Sequence, residues 1–275
     1  MCTGKRICFV RSVDILITSP VLVSTFDLSP DIPLYPFSSP ISFVYFDLDD
    51  TLLDHRGAEK KALLELHQTV PELKLFETPE QLQSVYHTIN TKVWVQYSDA
   101  EIDKATARVL RFSRLLREID ITDEALSSDL GQRYLDTYAE HWSWKTGARD
   151  AFVRIADRLD VGILTNGFAE VQRQKIEQFS ELGHHASCTV ISEDTGFMKP
   201  DIRIFEFATQ KAGVNAEEIL YVGDSLRSDV RGGQNAGWNV AWLADNLGPT
   251  ECDIAEATFA TWDEFESDIA PHFVR

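Results

Sequence analysis

Five short apolar runs alternate with helical stretches in this chain, and that alternation limits the possible folds more than any other feature. The runs are ISFVYF (41–46), VGILTN (161–166), ASCTVIS (186–192), ILYVGDS (219–225) and WNVAWLA (238–244). Each is short and rich in β-branched or aromatic residues, and so reads as a buried strand. FAEVQRQKIEQFSEL (168–182), DIRIFEFATQKAG (201–213) and SDVRGGQNAG (228–237) lie between the later runs with helical spacing, and TWDEFESDI (261–269) reads as a final helix. Parallel strands need crossover connections, and crossovers place helices on the sheet faces. The expected fold class is therefore α/β, a Rossmann-like parallel sheet.

The first two runs are separated by a long stretch with no strand signal. GAEKKALLELHQTV, PEQLQSVYHTINTKVWVQY, AEIDKATARVLRFSRLLREI and TDEALSSDLGQRYLDTYAEHW all show helical periodicity. Thr78-Pro79 and Thr122-Asp123-Glu124 mark helix starts. These four helices form an inserted α-helical cap after the first strand. The expected division is 41–54 and 146–275 for the core and 55–145 for the cap. Residues 1–40 read as an N-terminal extension, either a disordered tail or an upstream start that the native protein does not use. The opening MCTGKRICFVRSVDILITSPVLV has the basic-then-apolar order of a secretory leader, but Arg11 and Asp14 interrupt it and no clean cleavage site follows.

Composition excludes some partners. Asp+Glu number 44 against 26 Lys+Arg, a net charge of −18. Such a surface repels polymeric nucleic acid and anionic membranes. No apolar stretch reaches the ~18 residues that span a bilayer. Cys2, Cys8, Cys188 and Cys252 have no metal-ligand spacing. A reduced, cytoplasmic protein is the expectation.

In open parallel sheets, ligands gather at the carboxyl ends of the strands. Here those ends carry Asp47, Asp49, Asp50 and Thr51, then Thr165, Asn166 and Gly167, then Asp224 and Ser225, with Asp229 just beyond. Lys199-Pro200 precedes the helix 201–213. Clustered carboxylates suit a hard divalent cation such as Mg²⁺, and a metal with a lysine and hydroxyls would hold a phosphate. A free carboxylate beside them could be a nucleophile and another a general acid. In near-extended backbone Asp47 and Asp49 point the same way and Asp50 faces away.

In that order DLDDT, ILTNG, MKPD and GDSLRSD resemble the four motifs of the haloacid dehalogenase (HAD) superfamily. The resemblance covers roughly residues 41–270. It implies Asp47 as nucleophile and Mg²⁺ ligand, and Asp49 as general acid/base that binds metal through its carbonyl. It implies Thr165 and Asn166 on the phosphoryl oxygens and Lys199 neutralising nucleophile and phosphate. Asp224 would bind Mg²⁺ directly and Asp229 from nearby. The superfamily's 2-haloacid dehalogenases lack a carboxylate at the position of Asp49, so its presence argues for phosphoester hydrolysis. KVWVQYSDAEID (92–103) and ILTNGFAEVQRQKIEQ (163–178) resemble the pyrimidine 5′-nucleotidase branch. The expected substrate is a small phosphorylated metabolite, a nucleoside 5′-monophosphate, with phosphoglycolate the alternative. Trp94, Tyr97, Trp142 and Trp144 read as core of the helical module or as a stacking surface for a base; Phe168 is the better candidate to face substrate. His55, His184 and His185 read as structural or surface residues.

Overall fold

A computed structural model describes residue 37 and residues 39–244 and 254–273. Six strands, β1 (Phe43–Phe46), β2 (Asp160–Thr165), β3 (Ala186–Ile191), β4 (Ile219–Gly223), β5 (Asn239–Leu243) and β6 (Ala257–Phe259), form one sheet in the order β3-β2-β1-β4-β5-β6. Every pairing is parallel. The five expected strands are present. β6 was not expected: with three residues it is too short to show a period.

β1 is central and buried on both faces, and its side chains alternate between two cores. Val44 and Phe46 join Phe152, Ile155, Ile163 and Trp262 on one face. Phe43 and Tyr45 join Ile204, Phe205, Ala208 and Trp238 on the other. This is the period-2 consequence of an extended backbone. A β-carbon on Gly162 would come within 2.5 Å of the Tyr45 ring, so glycine there admits that ring. Phe37, from the segment expected to be an extension, is buried against Phe273 with ring centroids 5.8 Å apart. The rest of 1–36 lies outside the described residues.

Four helices follow β1 as an inserted layer: α1 (His55–Thr69), α2 (Pro79–Ser98), α3 (Lys104–Arg117) and α4 (Glu124–Glu140). Their starts are capped by Asp54, Thr78, Asp103 and Asp123, whose side chains accept from free N–H groups of the first turn. They bury a third core around Leu63, Tyr86, Phe112, Leu130 and Tyr134.

After α4 come α5 (Ala148–Ala156), α6 (Ala169–Gln178), α7 (Ser180–His185), α8 (Ser192–Thr195) and α9 (Ile202–Ala212). The single helix expected over 168–182 is thus broken, at Phe179, whose φ of −98° and ψ of 82° leave the helical region. The final helix expected over 261–269 is irregular, a short turn at Trp262–Glu264 running into a wider one at Phe265–Ile269. Among the described residues no helix is long and apolar enough to cross a membrane.

Candidate active site

The carboxyl ends of β1, β2 and β4 meet at one edge of the sheet, as parallel pairing requires. Asp47 follows β1 directly, its N–H donating to the Val222 carbonyl of β4 at 2.9 Å. The chain then turns tightly. Asp50 takes φ +59°, a left-handed conformation that Asp tolerates better than most residues. Asp50 accepts from the Arg56 N–H at 2.9 Å and, although expected to face away, lines the same cavity as Asp47.

Lys199 sits at the centre of the site. Its Nζ donates to Asp47 Oδ1 at 2.8 Å and Asp229 Oδ1 at 2.7 Å, and also contacts the Tyr221 hydroxyl at 2.6 Å and the Leu164 carbonyl at 3.2 Å. Burial alone would lower the Lys199 ammonium, but Asp229 and Asp47 outweigh it and push it up to about 12. The lysine is placed by its own backbone: Asn166 Nδ2 donates to the Lys199 carbonyl at 3.0 Å, and the Lys199 N–H donates to Asn166 Oδ1 at 2.9 Å. Asn166, expected on the phosphoryl oxygens, spends its amide on this reciprocal clamp.

One lysine does not balance three carboxylates. Asp47, Asp224 and Asp229 each offer an oxygen within 4.8 Å of the others. Burial pushes the Asp47 carboxyl up to about 7; Lys199 opposes this, and Asp229 and Asp49 add to it. Burial and then the charges of Asp229, Asp47 and Asp50 raise Asp224 well above its ordinary range. Burial leads both shifts, and repulsion among these side chains adds to it. An oxygen-only donor set with surplus negative charge fits a hard divalent cation. Asp229 is fully buried and also accepts from the Ser225 N–H at 2.9 Å. The Trp242 indole N–H holds the Asp224 carbonyl at 2.8 Å.

Asp49 stands in a different environment. Lys175 Nζ donates to its Oδ1 at 2.6 Å and Gln172 Nε2 to its Oδ2 at 3.0 Å. Burial would raise this carboxyl, but Lys175 and His55 outweigh it and hold it below the ordinary range. Gln172 Nε2 also reaches the Thr165 hydroxyl at 2.8 Å. Thr165, expected on the phosphoryl oxygens, is fully buried and does not line the cavity at these carboxylates. Lys175 and Gln172 were not expected from the sequence. His55 is at the site too, its Nδ1 2.6 Å from the Tyr138 hydroxyl.

A cavity of about 380 Å³ runs from these carboxylates into the helical layer, lined by Asp47, Asp49, Lys199, Asp224, Trp94, Tyr138 and Arg111 among others. One seam between layer and core centres on Phe168, expected to face substrate. Trp94 and Tyr97 meet its ring edge-on at 5.7 and 5.1 Å. Lys104 and Arg108 sit over it at 5.6 and 5.1 Å. The same cations pair with core carboxylates: Lys104 with Glu170 at 2.6 Å and Glu193 at 2.8 Å, and Arg108 with Glu170. Trp142 packs on Tyr138, whereas Trp144 packs on Phe152 and Phe179 of the core.

The family model of haloacid dehalogenase-like hydrolases matches residues 41–237, which include the clustered carboxylates, Lys199, Lys175 and Gln172. The chain belongs to the haloacid dehalogenase-like hydrolases. Within them it is 32% identical over 212 residues to the HAD-hydrolase YfnB of Bacillus subtilis, covering 76% of this chain and 86% of YfnB. It is 33% identical over 204 residues to the pyrimidine 5′-nucleotidase PynA of Streptococcus pneumoniae (73% of this chain, 82% of PynA). It is 28% identical over 202 residues to the pyrimidine 5′-nucleotidase YjjG of Escherichia coli (73% and 85%). The crystal structure of magnesium-bound YfnB superposes with a TM-score of 0.68, covering 82% of this chain and 97% of that one. The α/β architecture with inserted helices is therefore the HAD fold.

In this hydrolase the Lys175–Asp49 pair makes a direct prediction. Lys175→Met keeps the stem packed beside Tyr138 and Trp142 and removes the charge. The Asp49 carboxyl is then expected to titrate higher than in the wild type, read by carboxyl ¹³C NMR; an unmoved titration would show that Lys175 does not set it. Because the folded value is depressed, the pair stabilises the fold above the ordinary carboxylate range. That contribution is lost as pH falls through the folded value.

Proposed function

We propose that this HAD hydrolase is a Mg²⁺-dependent phosphatase that cleaves pyrimidine-type nucleoside 5′-monophosphates. One observation carries the chemistry: two carboxylates share a cavity in opposed settings, Asp47 on Lys199 in the anionic cluster and Asp49 held by Lys175 and Gln172. Environments this different mark two carboxylates with two tasks, and the order of the DLDDT motif gives Asp47 the nucleophile's role and Asp49 the acid/base's. The pyrimidine 5′-nucleotidases PynA and YjjG, among the relatives, support the substrate class.

In this reading Asp47 attacks phosphorus and the bond to the leaving oxygen breaks. Asp49 gives that oxygen its proton; the negative charge of an arriving phosphate raises the Asp49 carboxyl toward the range where it carries one. Asp49 then takes a proton from water, which attacks the phosphorus of the aspartyl-phosphate and frees Asp47 and inorganic phosphate. Lys199, fixed by Asn166, offsets charge on Asp47 and on the phosphoryl group. Asp47, Asp224 and Asp229, with the Asp49 carbonyl, would hold Mg²⁺, which would neutralise the phosphoryl oxygens.

The test is phosphate release from UMP, CMP, phosphoglycolate and ribose 5-phosphate, with Mg²⁺ and with EDTA. The expected result is release led by the nucleotides and lowered at least ~100-fold by EDTA, given the several kcal/mol a metal contributes. Release led by phosphoglycolate would keep the chemistry and replace the substrate. Full activity in EDTA would remove Mg²⁺ from the reading.

A further inference from the structure

The cavity's wall contains a cation with one hydrogen-bonding edge unused. Arg111 of α3 is 8% exposed and lines the cavity, yet its Nε and Nη2 have no hydrogen-bond partner. These two atoms form one edge of the guanidinium, a fork of parallel N–H donors. Its remaining contacts are with ring faces, Tyr134 at 4.9 Å and Phe112 at 5.6 Å. A buried donor left unpaired is costly, and native structures rarely carry a whole fork in that state.

An acceptor on the same cavity is loosely held. Glu59 is buried, and its carboxylate receives long contacts alone, at 3.5 Å from Asn90 and the Tyr134 hydroxyl, 3.6 Å from His87 and 4.0 Å from His55. Among the described residues no ion pair joins Glu59 to Arg111. The buried Tyr86 hydroxyl lies beside Arg111, Tyr134 and Glu59 without a well-aligned hydrogen bond. Together the wall offers a donor fork and a carboxylate beside aromatic faces.

Position separates this wall from the reacting centre. Tyr134 and Tyr138 are one turn apart on α4 with rings stacked at 5.6 Å. Arg111 sits over Tyr134, while Lys175, on Asp49, sits over Tyr138 at 5.2 Å. Arg111 and Lys175 therefore line one cavity about one helical turn, ~5.4 Å, apart along α4. Lys175 marks the end that holds Asp49, so the wall at Arg111 would meet the part of a substrate beyond its phosphoester.

We propose that Arg111 recognises the base of the nucleotide, its Nε–H and Nη2–H edge taking a ring carbonyl while Glu59 takes a ring or amino N–H. This rests on the nucleotidase reading above and adds the residues that choose the leaving group. A pyrimidine edge presents both carbonyl acceptors and an N–H donor, and its faces suit the tyrosine walls.

The test compares kcat/KM for UMP and CMP with that for ribose 5-phosphate, which has the phosphoester and sugar but no base. The wild type is compared with Arg111→Gln and with Arg111→Lys, which keeps charge and stem and loses the fork. The expected result is a preference for the nucleotides in the wild type that falls roughly 10–100-fold in both variants, mainly through KM. Circular dichroism confirms which variants fold; if Arg111→Gln does not, Arg111→Lys decides. Variants that lose activity on all three substrates in equal proportion would overturn the assignment and leave Arg111 a structural residue. Variants that keep the full preference would overturn it as well. A wild type with no preference for nucleotides over ribose 5-phosphate would overturn the nucleotidase reading itself, and this inference with it.

Discussion

Asp47→Asn is expected to lower kcat by a factor on the order of 10⁴ or more while the fold survives or gains stability. The amide is nearly isosteric but cannot attack phosphorus, and loss of a covalent nucleophile removes a step rather than weakening it. Stability should move the other way. Asp47 is a buried carboxylate pushed up to about 7 by burial and by Asp229 and Asp49, against Lys199, and the neutral side chain ends that repulsion. The checks are phosphate release under saturating substrate and thermal unfolding in metal-free buffer. Activity within tenfold of wild type would show that Asp47 is not the nucleophile. A large fall in the unfolding midpoint would show that its charge holds the site together.

Lys199→Met should have the opposite effect on stability and the same direction of effect on turnover. The thioether side chain keeps much of the stem volume but leaves Asp47 and Asp229 buried without their counter-charge. It also removes the donor shared with Tyr221 and Leu164. Breaking a buried ion pair from one side costs about 3–5 kcal/mol, which for a domain of this size lowers the unfolding midpoint by roughly 10 °C. Pairing it with Asp229→Asn should restore part of the loss, since one of the stranded charges is then gone. Strict additivity in that double-mutant cycle would show that the two side chains do not interact.

The residues that could be read beforehand were those whose chemistry contrasts with their neighbours. Asp47 and Asp49 stand out against FVYF, and Asp224 against ILYVG, because a buried strand ends where carboxylates begin. The topology then follows, since parallel strands bring their carboxyl ends to one edge. Lys175 and Gln172 were hidden by the opposite circumstance. AEVQRQKIEQ is polar nearly throughout, so its period does not reveal that the Gln and the Lys face inward and are almost fully buried. Arg111 was hidden likewise among the basic residues of VLRFSRLLR. Tyr221 looked like strand filling, and only its meeting with Lys199 across the sheet edge shows that its hydroxyl matters. Motif order supplied Lys199; why it stays in place is the Asn166 clamp, a contact between residues 33 apart that no local pattern records.

Helix α6 joins the helical layer and the acid/base residue mechanically. Phe168, at the start of α6, is gripped by Lys104, Arg108, Trp94 and Tyr97 of the helical layer. One and two turns along the same helix, Gln172 and Lys175 grip Asp49. A short helix transmits displacement rather than absorbing it. A displacement of the layer at Phe168 would therefore be carried to the two side chains that aim Asp49. The seating of the layer and the alignment of the proton donor would then be one event, like the two ends of a rocker arm.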